Sequence, residues 1–252
     1  MRVVMITAIG VGGGGATIVG SLIGFFFHDV SHKVNDMILS FAAGVMLAAA
    51  VIGLILPAIN MAGEGKIWNP VVGIFVGALF LNAMDRLTPH LHKLSGVDIE
   101  RHEHNKNLDG ALLFMLAVAI HNLPEGMAAG VGFAGEDKGA ALTVAIGIAL
   151  QNIPEGIVTV SPLIMAGVKR KRAFLLGTVT GFIEVAGTFI GYYLAGISET
   201  VLPFALAFAG GTMLYIISDE MIPETHSHGY ERVATYSLLA GFVLMLIMNE
   251  VI

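Results

Sequence analysis

Residues 108–133 read LDGALLFMLAVAIHNLPEGMAAGVGF. A hydrocarbon layer of ~30 Å is crossed by about 20 mostly apolar helical residues, and this stretch is long enough to do it. Its middle carries His121, Asn122, Pro124 and Glu125, residues that such a layer disfavours. Residues 139–168, GAALTVAIGIALQNIPEGIVTVSPLIMAGV, repeat the pattern thirty residues on: HNLPEG at 121–126 becomes QNIPEG at 151–156. A carboxylate at the centre of a lipid-embedded helix costs about 2.5 to 3.5 kcal/mol on insertion scales unless it is compensated. Two such residues in matched positions therefore point to a function.

The rest of the chain agrees with a lipid solvent. Of its 252 residues 56% are apolar and only 13% charged, and the mean hydropathy is +0.81, more apolar surface than a soluble fold of this size could hide. Spans are expected near Val3–Phe27, Val34–Ile59, Pro70–Leu87, Leu108–Phe133, Gly139–Val168, Ala173–Ala195, Val201–Ile222 and Val233–Val251, making eight transmembrane helices in one all-α, polytopic domain. The runs are continuous rather than alternating, which excludes a β-barrel. Met1-Arg2 and the apolar run after it lack a convincing small-residue cleavage site and are read as the first helix, not a signal peptide. With no Cys there are no disulfides and no thiolate ligands, and a net charge of −6 gives no reason to expect nucleic acid.

Lys and Arg set the orientation. With both termini outside, the inner loops hold Lys33, Arg86, Lys93, Arg101, Lys106, Lys169, Arg170, Lys171, Arg172 and Arg232, and only Arg2, Lys66 and Lys138 lie outside. The polar stretch from His90 to Asn107, with His92, His102 and His104, is expected as a cytoplasmic loop. It is either a plain solvated loop or a transient metal-capturing one.

Residues i and i+4 share a helix face, so His121 stands beside Glu125 and Gln151 beside Glu155. Asn122 and Asn152 sit about 100° around from them. Pro124 and Pro154 cannot donate to the carbonyls of Ile120 and Leu150, which should kink each helix and free an acceptor. Imidazole, carboxylates and amide oxygens suit a first-row divalent ion such as Zn²⁺, Fe²⁺ or Mn²⁺, in a site that can release it. Bridging by Glu125 and Glu155 would permit two ions. Glu184, flanked by Gly181 and Gly187, is a third buried acid, read as ligand or proton acceptor; a purely structural role would need a hydroxyl such as Thr180 or Thr188. Asp219 and Glu220, and Asp85 with His90, lie at inner helix ends, where they line an exit or simply face water. Met46 reads as core from composition alone. Small residues at four-residue spacing (Gly20 and Gly24, Gly73 and Gly77, Gly126 and Gly130, Gly177 and Gly181, Gly187 and Gly191) let helices approach closely, and such stripes would also permit a homodimer. The run Gly12 to Gly15, which weakens a helix by roughly 1 kcal/mol per residue relative to Ala, marks a tight crossing or a flexible point.

With HNLPEG, QNIPEG, FAAGVMLAA at 41–49, DRLTPH at 85–90 and DEMIPET at 219–225, the chain resembles the ZIP (Zrt-/Irt-like) family of metal transporters, in particular its bacterial GufA-like branch. The resemblance implies uptake of zinc or a related divalent ion such as cadmium, iron or manganese toward the cytoplasm, through the cell (inner) membrane. The ion is substrate, and no prosthetic group is implied. It implies eight helices in an inverted 3+2+3 arrangement, with the first and last three related around spans four and five. One metal position would be lined by Met46, His121, Glu125, Gln151 and Glu155. The second would use Asn122, Glu125, Asn152, Glu155 and Glu184, with Asp85 and His90 on the release route. Position 152 is Asn where some relatives carry Asp, making the second position less negative; Asp219 stands where many carry His. The competing readings are an intramembrane metal-dependent hydrolase, against which stands the absence of an HExxH motif, and a proton-conducting or sensory protein whose buried acids titrate without metal.

Overall fold

In lipid every backbone N–H and C=O must be satisfied within its own segment, so each apolar run is driven into helix. The computed structural model describes residues 2–26, 31–94, 106–134, 138–195 and 201–251, and among these there is no strand. The helices are α1 (Arg2–Phe26), α2 (His32–Ala48), α3 (Leu56–Ala62), α4 (Trp68–Leu94), α5 (Lys106–Ala134), α6 (Lys138–Met165), α7 (Arg170–Ala195), α8 (Leu202–Ile216), α9 (Ile222–Thr225) and α10 (Glu231–Val251). Helix runs through most of every stretch expected to span. Among the described residues five helical stretches are long and apolar enough to cross a membrane: His32–Ala62, Ala141–Met165, Arg170–Ala195, Leu202–Thr225 and Glu231–Val251.

Three features depart from the expected helices. Between α2 and α3 the chain winds as a π-helix over Ala49–Ile55, and between α8 and α9 it does so again over Ile217–Met221. Each π segment ends two residues before a proline, Pro57 or Pro223. A proline ring lacks an N–H and crowds the carbonyl four residues back, here those of Gly53 and Asp219. The helix widens to i→i+5 bonds instead, with Leu56 N–H donating to Val51 O and Ile222 N–H to Ile217 O. By contrast α5 and α6 stay helical straight through Pro124 and Pro154. The third departure is the loop expected from His90 to Asn107: α4 carries helix through Leu94 and α5 resumes at Lys106, with residues 95–105 outside the described ones.

Packing divides the helices into two groups. α1, α5, α6 and α7 pack chiefly on one another, while α2 pairs with α10 and α4 with α8, the two pairs joined where the first π segment and α3 lie against α8. The groups meet where α2 lies on α6 and α8 on α5. Glycines make the seams. Gly126 and Gly130 of α5 sit against the backbone of Glu184 and Thr188, Gly187 and Gly191 of α7 against Leu123 and Met127, and Gly20 and Gly24 of α1 against Ile153 and Ile157. A Cβ at these places would meet backbone, which cannot yield, so the small pairs are close crossings. Within the Gly12 to Gly15 run, Gly13 and Gly14 face Glu184 and Gly181, while a Cβ on Gly12 or Gly15 would meet nothing within 4 Å. That run is a tight crossing on one helix face.

The outside of the bundle is apolar. Phe75 and Leu79 of α4, Leu175, Phe182 and Tyr193 of α7, and Tyr236, Leu239 and Ile247 of α10 are exposed, whereas Glu125, Glu155, Glu184, Gln151, Asn122 and Asn152 are buried. Apolar residues outward and carboxylates inward is the distribution of a polytopic membrane protein.

Candidate metal centre

The two hexapeptides lie on α5 and α6, and α7 brings Glu184 to them. Glu125, Glu155 and Glu184 are close enough for their charges to act on one another. Gln151 Nε2 donates to Glu125 Oε1 at 2.8 Å. This bond ties the two helices together and fixes the carboxylate. It also leaves Glu125 Oε2 and Gln151 Oε1, both buried, without a hydrogen-bond partner among the described residues, and Asn122 Oδ1 and Asn152 Oδ1 are in the same condition. Buried polar atoms are rarely left unpaired, because each costs about 1 to 3 kcal/mol. Four orphaned oxygens therefore lie on the two facing motifs, with Asn122 Nδ2 orphaned beside them.

Glu184 is held from the other side. Its Oε2 accepts from Thr17 Oγ1 of α1 at 3.1 Å, and Asn152 Nδ2 donates to Gly13 O of α1 at 3.3 Å. The hydroxyls weighed from sequence do something else: Thr180 donates to Gly177 O and Thr188 to Glu184 O, both on the backbone of their own helix. A Cβ on Gly13 would press on the Glu184 carboxylate, the end of a side chain, whereas one on Gly14 would meet the backbone of Gly181. Thr17 and Gly13 were not singled out as site residues from sequence, because a Thr or Gly in an apolar span has no signature of its own.

A small cavity of about 30 Å³, room for a water or an ion, opens beside Glu125 and Glu155. Leu39 of α2, Val118 of α5, Ile216 of α8, Met221, and two further acids, Glu220 and Glu224, complete its wall. Glu220 therefore shares a cavity with the repeat carboxylates. Asp219 is exposed and is not among the lining residues. Glu224, four residues after Glu220 on the same helical stretch, was overlooked in the sequence, although that spacing was its signal. Met46 is fully buried in the apolar core of α2. The side chains of His121, Asp85 and His90 lie outside the described residues. Among the described residues no three His, Asp or Glu side chains are already gathered around one point. What the two motifs bring together is a buried set of carboxylates and amides.

Residues 100–249 match the family model described as ZIP Zinc transporter. The chain is 39% identical to "Zinc transporter GufA" of Myxococcus xanthus, covering 94% of each protein. It is 35% identical to "Zinc transporter ZIPB" of Bordetella bronchiseptica, over 95% of this chain and 79% of that one. A third relative, "Zinc transporter ZupT" of Chlorobaculum parvum, is 34% identical over 91% of each. This chain belongs to the ZIP family. The resemblance carried by HNLPEG and QNIPEG thus extends over nearly the whole sequence. ZIP proteins are transporters rather than enzymes, which removes the hydrolase alternative.

Proposed function

We propose that this ZIP protein carries divalent transition-metal ions, zinc foremost, across the cell (inner) membrane toward the cytoplasm, through a site held between α5 and α6. The observation that carries the proposal is the set of four buried, unpartnered oxygens on Asn122, Glu125, Gln151 and Asn152. The relatives named above are zinc transporters, which supports zinc as the cargo. One ion position takes Met46, His121, Glu125, Gln151 and Glu155; a second takes Asn122, Glu125, Asn152, Glu155 and Glu184. Glu125 and Glu155 bridge the two. Oxygen and imidazole donors without thiolate bind such ions reversibly, as transport requires; cadmium, iron and manganese fit the same donor set.

An inverted 3+2+3 arrangement of eight spans is supported by matched pairs of contacts. With the first span counterpart to the sixth, the second to the seventh, the third to the eighth and the fourth to the fifth, α1 on α6 corresponds to α7 on α5, and α2 on α10 to α8 on α4. The two π segments, each followed by a proline, fall on the second and seventh spans. A midplane site at such a repeat interface is the general pattern of secondary transporters. The packing of α1, α5, α6 and α7 as one group supports alternating access by sliding of that group along the other. Both termini then lie outside, as the Lys and Arg bias indicates, and the cavity lined by Glu220 and Glu224 leads inward, with Asp85 and His90 further along the release route.

The test is flux. Purified protein in liposomes should admit Zn²⁺ above the rate of protein-free liposomes, with Cd²⁺, Fe²⁺ and Mn²⁺ measured alongside. No flux with any of the four ions would overturn the transport reading.

A further inference from the structure

A threonine inside a helix commonly turns its hydroxyl back onto a carbonyl of its own helix, three or four residues earlier. Thr143, Thr159, Thr178 and Thr188 all do so, donating to Gly139 O, Glu155 O, Phe174 O and Glu184 O. Thr17 of α1 departs from the pattern. Its hydroxyl crosses to α7 and donates to Glu184 Oε2 at 3.1 Å, deep inside the bundle, where both residues are buried. The carbonyl that Thr17 would ordinarily use, that of Gly13 four residues back, is given to α6 instead: it accepts from Asn152 Nδ2 at 3.3 Å. One turn of α1 therefore grips two side chains from two other helices.

Both gripped groups stay able to serve an ion. A carboxylate oxygen has two lone pairs, so accepting from Thr17 does not use up Glu184. With its Nδ2 committed to Gly13 O, the Asn152 amide has one orientation, and its Oδ1 is the buried atom left without a partner among the described residues. Gly13 and Thr17 share a face of α1, and the missing Cβ of Gly13 leaves the Glu184 carboxylate its room. We propose that Thr17 is a positioning residue for the second ion position. Through its hydroxyl, and through the Gly13 carbonyl that it leaves to Asn152, α1 sets the direction of the Glu184 carboxylate and of the Asn152 amide before an ion arrives. Thr17 acts through these two groups and is not itself a ligand. The proposal rests on the reading of Asn152 and Glu184 as ligands of that position.

The test is an equilibrium Zn²⁺ titration of the purified full-length chain. Thr17→Val keeps the shape of the side chain and removes the donor. It should weaken one of the two bound ions by about 10- to 100-fold, the usual cost of losing a partner that orients a ligand, and leave the other unchanged. Thr17→Ser, which keeps the hydroxyl, should bind both ions as wild type does. Thr178→Val, which removes a hydroxyl bonded to its own helix, should also match wild type. Thr17→Ala reads the same loss of the donor should Thr17→Val not fold. Two wild-type affinities in Thr17→Val, or equal weakening in Thr17→Val and Thr178→Val, would overturn the proposal and leave the transport reading standing. A wild-type chain that binds no Zn²⁺ would overturn both.

Discussion

At the scale of single residues the centre depends on oxygens with no partner and on one glycine. Glu184→Gln removes a charge but keeps the shape and the Thr17 contact, so it should lower bound metal by about one ion per chain with no loss of folding; unchanged stoichiometry by elemental analysis would count against Glu184 as a ligand. Gly13→Ala drives a methyl into the Glu184 carboxylate and should cost roughly 1 to 3 kcal/mol, the usual penalty of overpacking, with flux falling in step. Gly12→Ala, whose Cβ meets nothing within 4 Å, should leave both unchanged or raise stability, which thermal unfolding in detergent would read. These residues also mark how far the sequence was legible. Glu125, Glu155 and Glu184 stood out because a charge in an apolar run is expensive and must be explained. Gly13, Thr17 and Glu224 did not: their roles depend on which helix lies opposite, and a single span does not say.

At the scale of elements the positions of the helices were readable, because lipid forces every apolar run into helix, but their internal winding was not. Pro57 and Pro223 were in plain view, yet whether a proline kinks a helix, widens it into a π segment or is absorbed is decided by the neighbours. Here α5 and α6 run on through Pro124 and Pro154, while the second and seventh spans widen. In α5 the carbonyl of Ile120 lacks its usual donor at Pro124. Pro124→Ala restores that donor next to His121. The expected outcome is a higher unfolding temperature with slower metal flux, because an acceptor near the site is withdrawn into the helix; faster flux would contradict the role given to the proline.

At the scale of the molecule, alternating access by sliding requires two groups of helices that move past each other. Gly147 of α6 lies at their boundary, where a Cβ would meet the Met245 thioether end of α10 at 2.8 Å and Val45 Cγ1 of α2 at 3.7 Å. Because the chain has no cysteine of its own, the pair Val45→Cys and Gly147→Cys can be cross-linked without interference. Oxidation should stop flux and reduction restore it; full flux in the cross-linked protein would exclude sliding at this boundary. The central claim, that the ion passes between the two repeated motifs, is tested most directly by Zn²⁺ entry into liposomes holding equal amounts of folded wild type, Glu125→Ala and Glu155→Ala. Each substitution should lower flux at least tenfold, and flux equal to wild type in both variants would contradict passage between the two motifs.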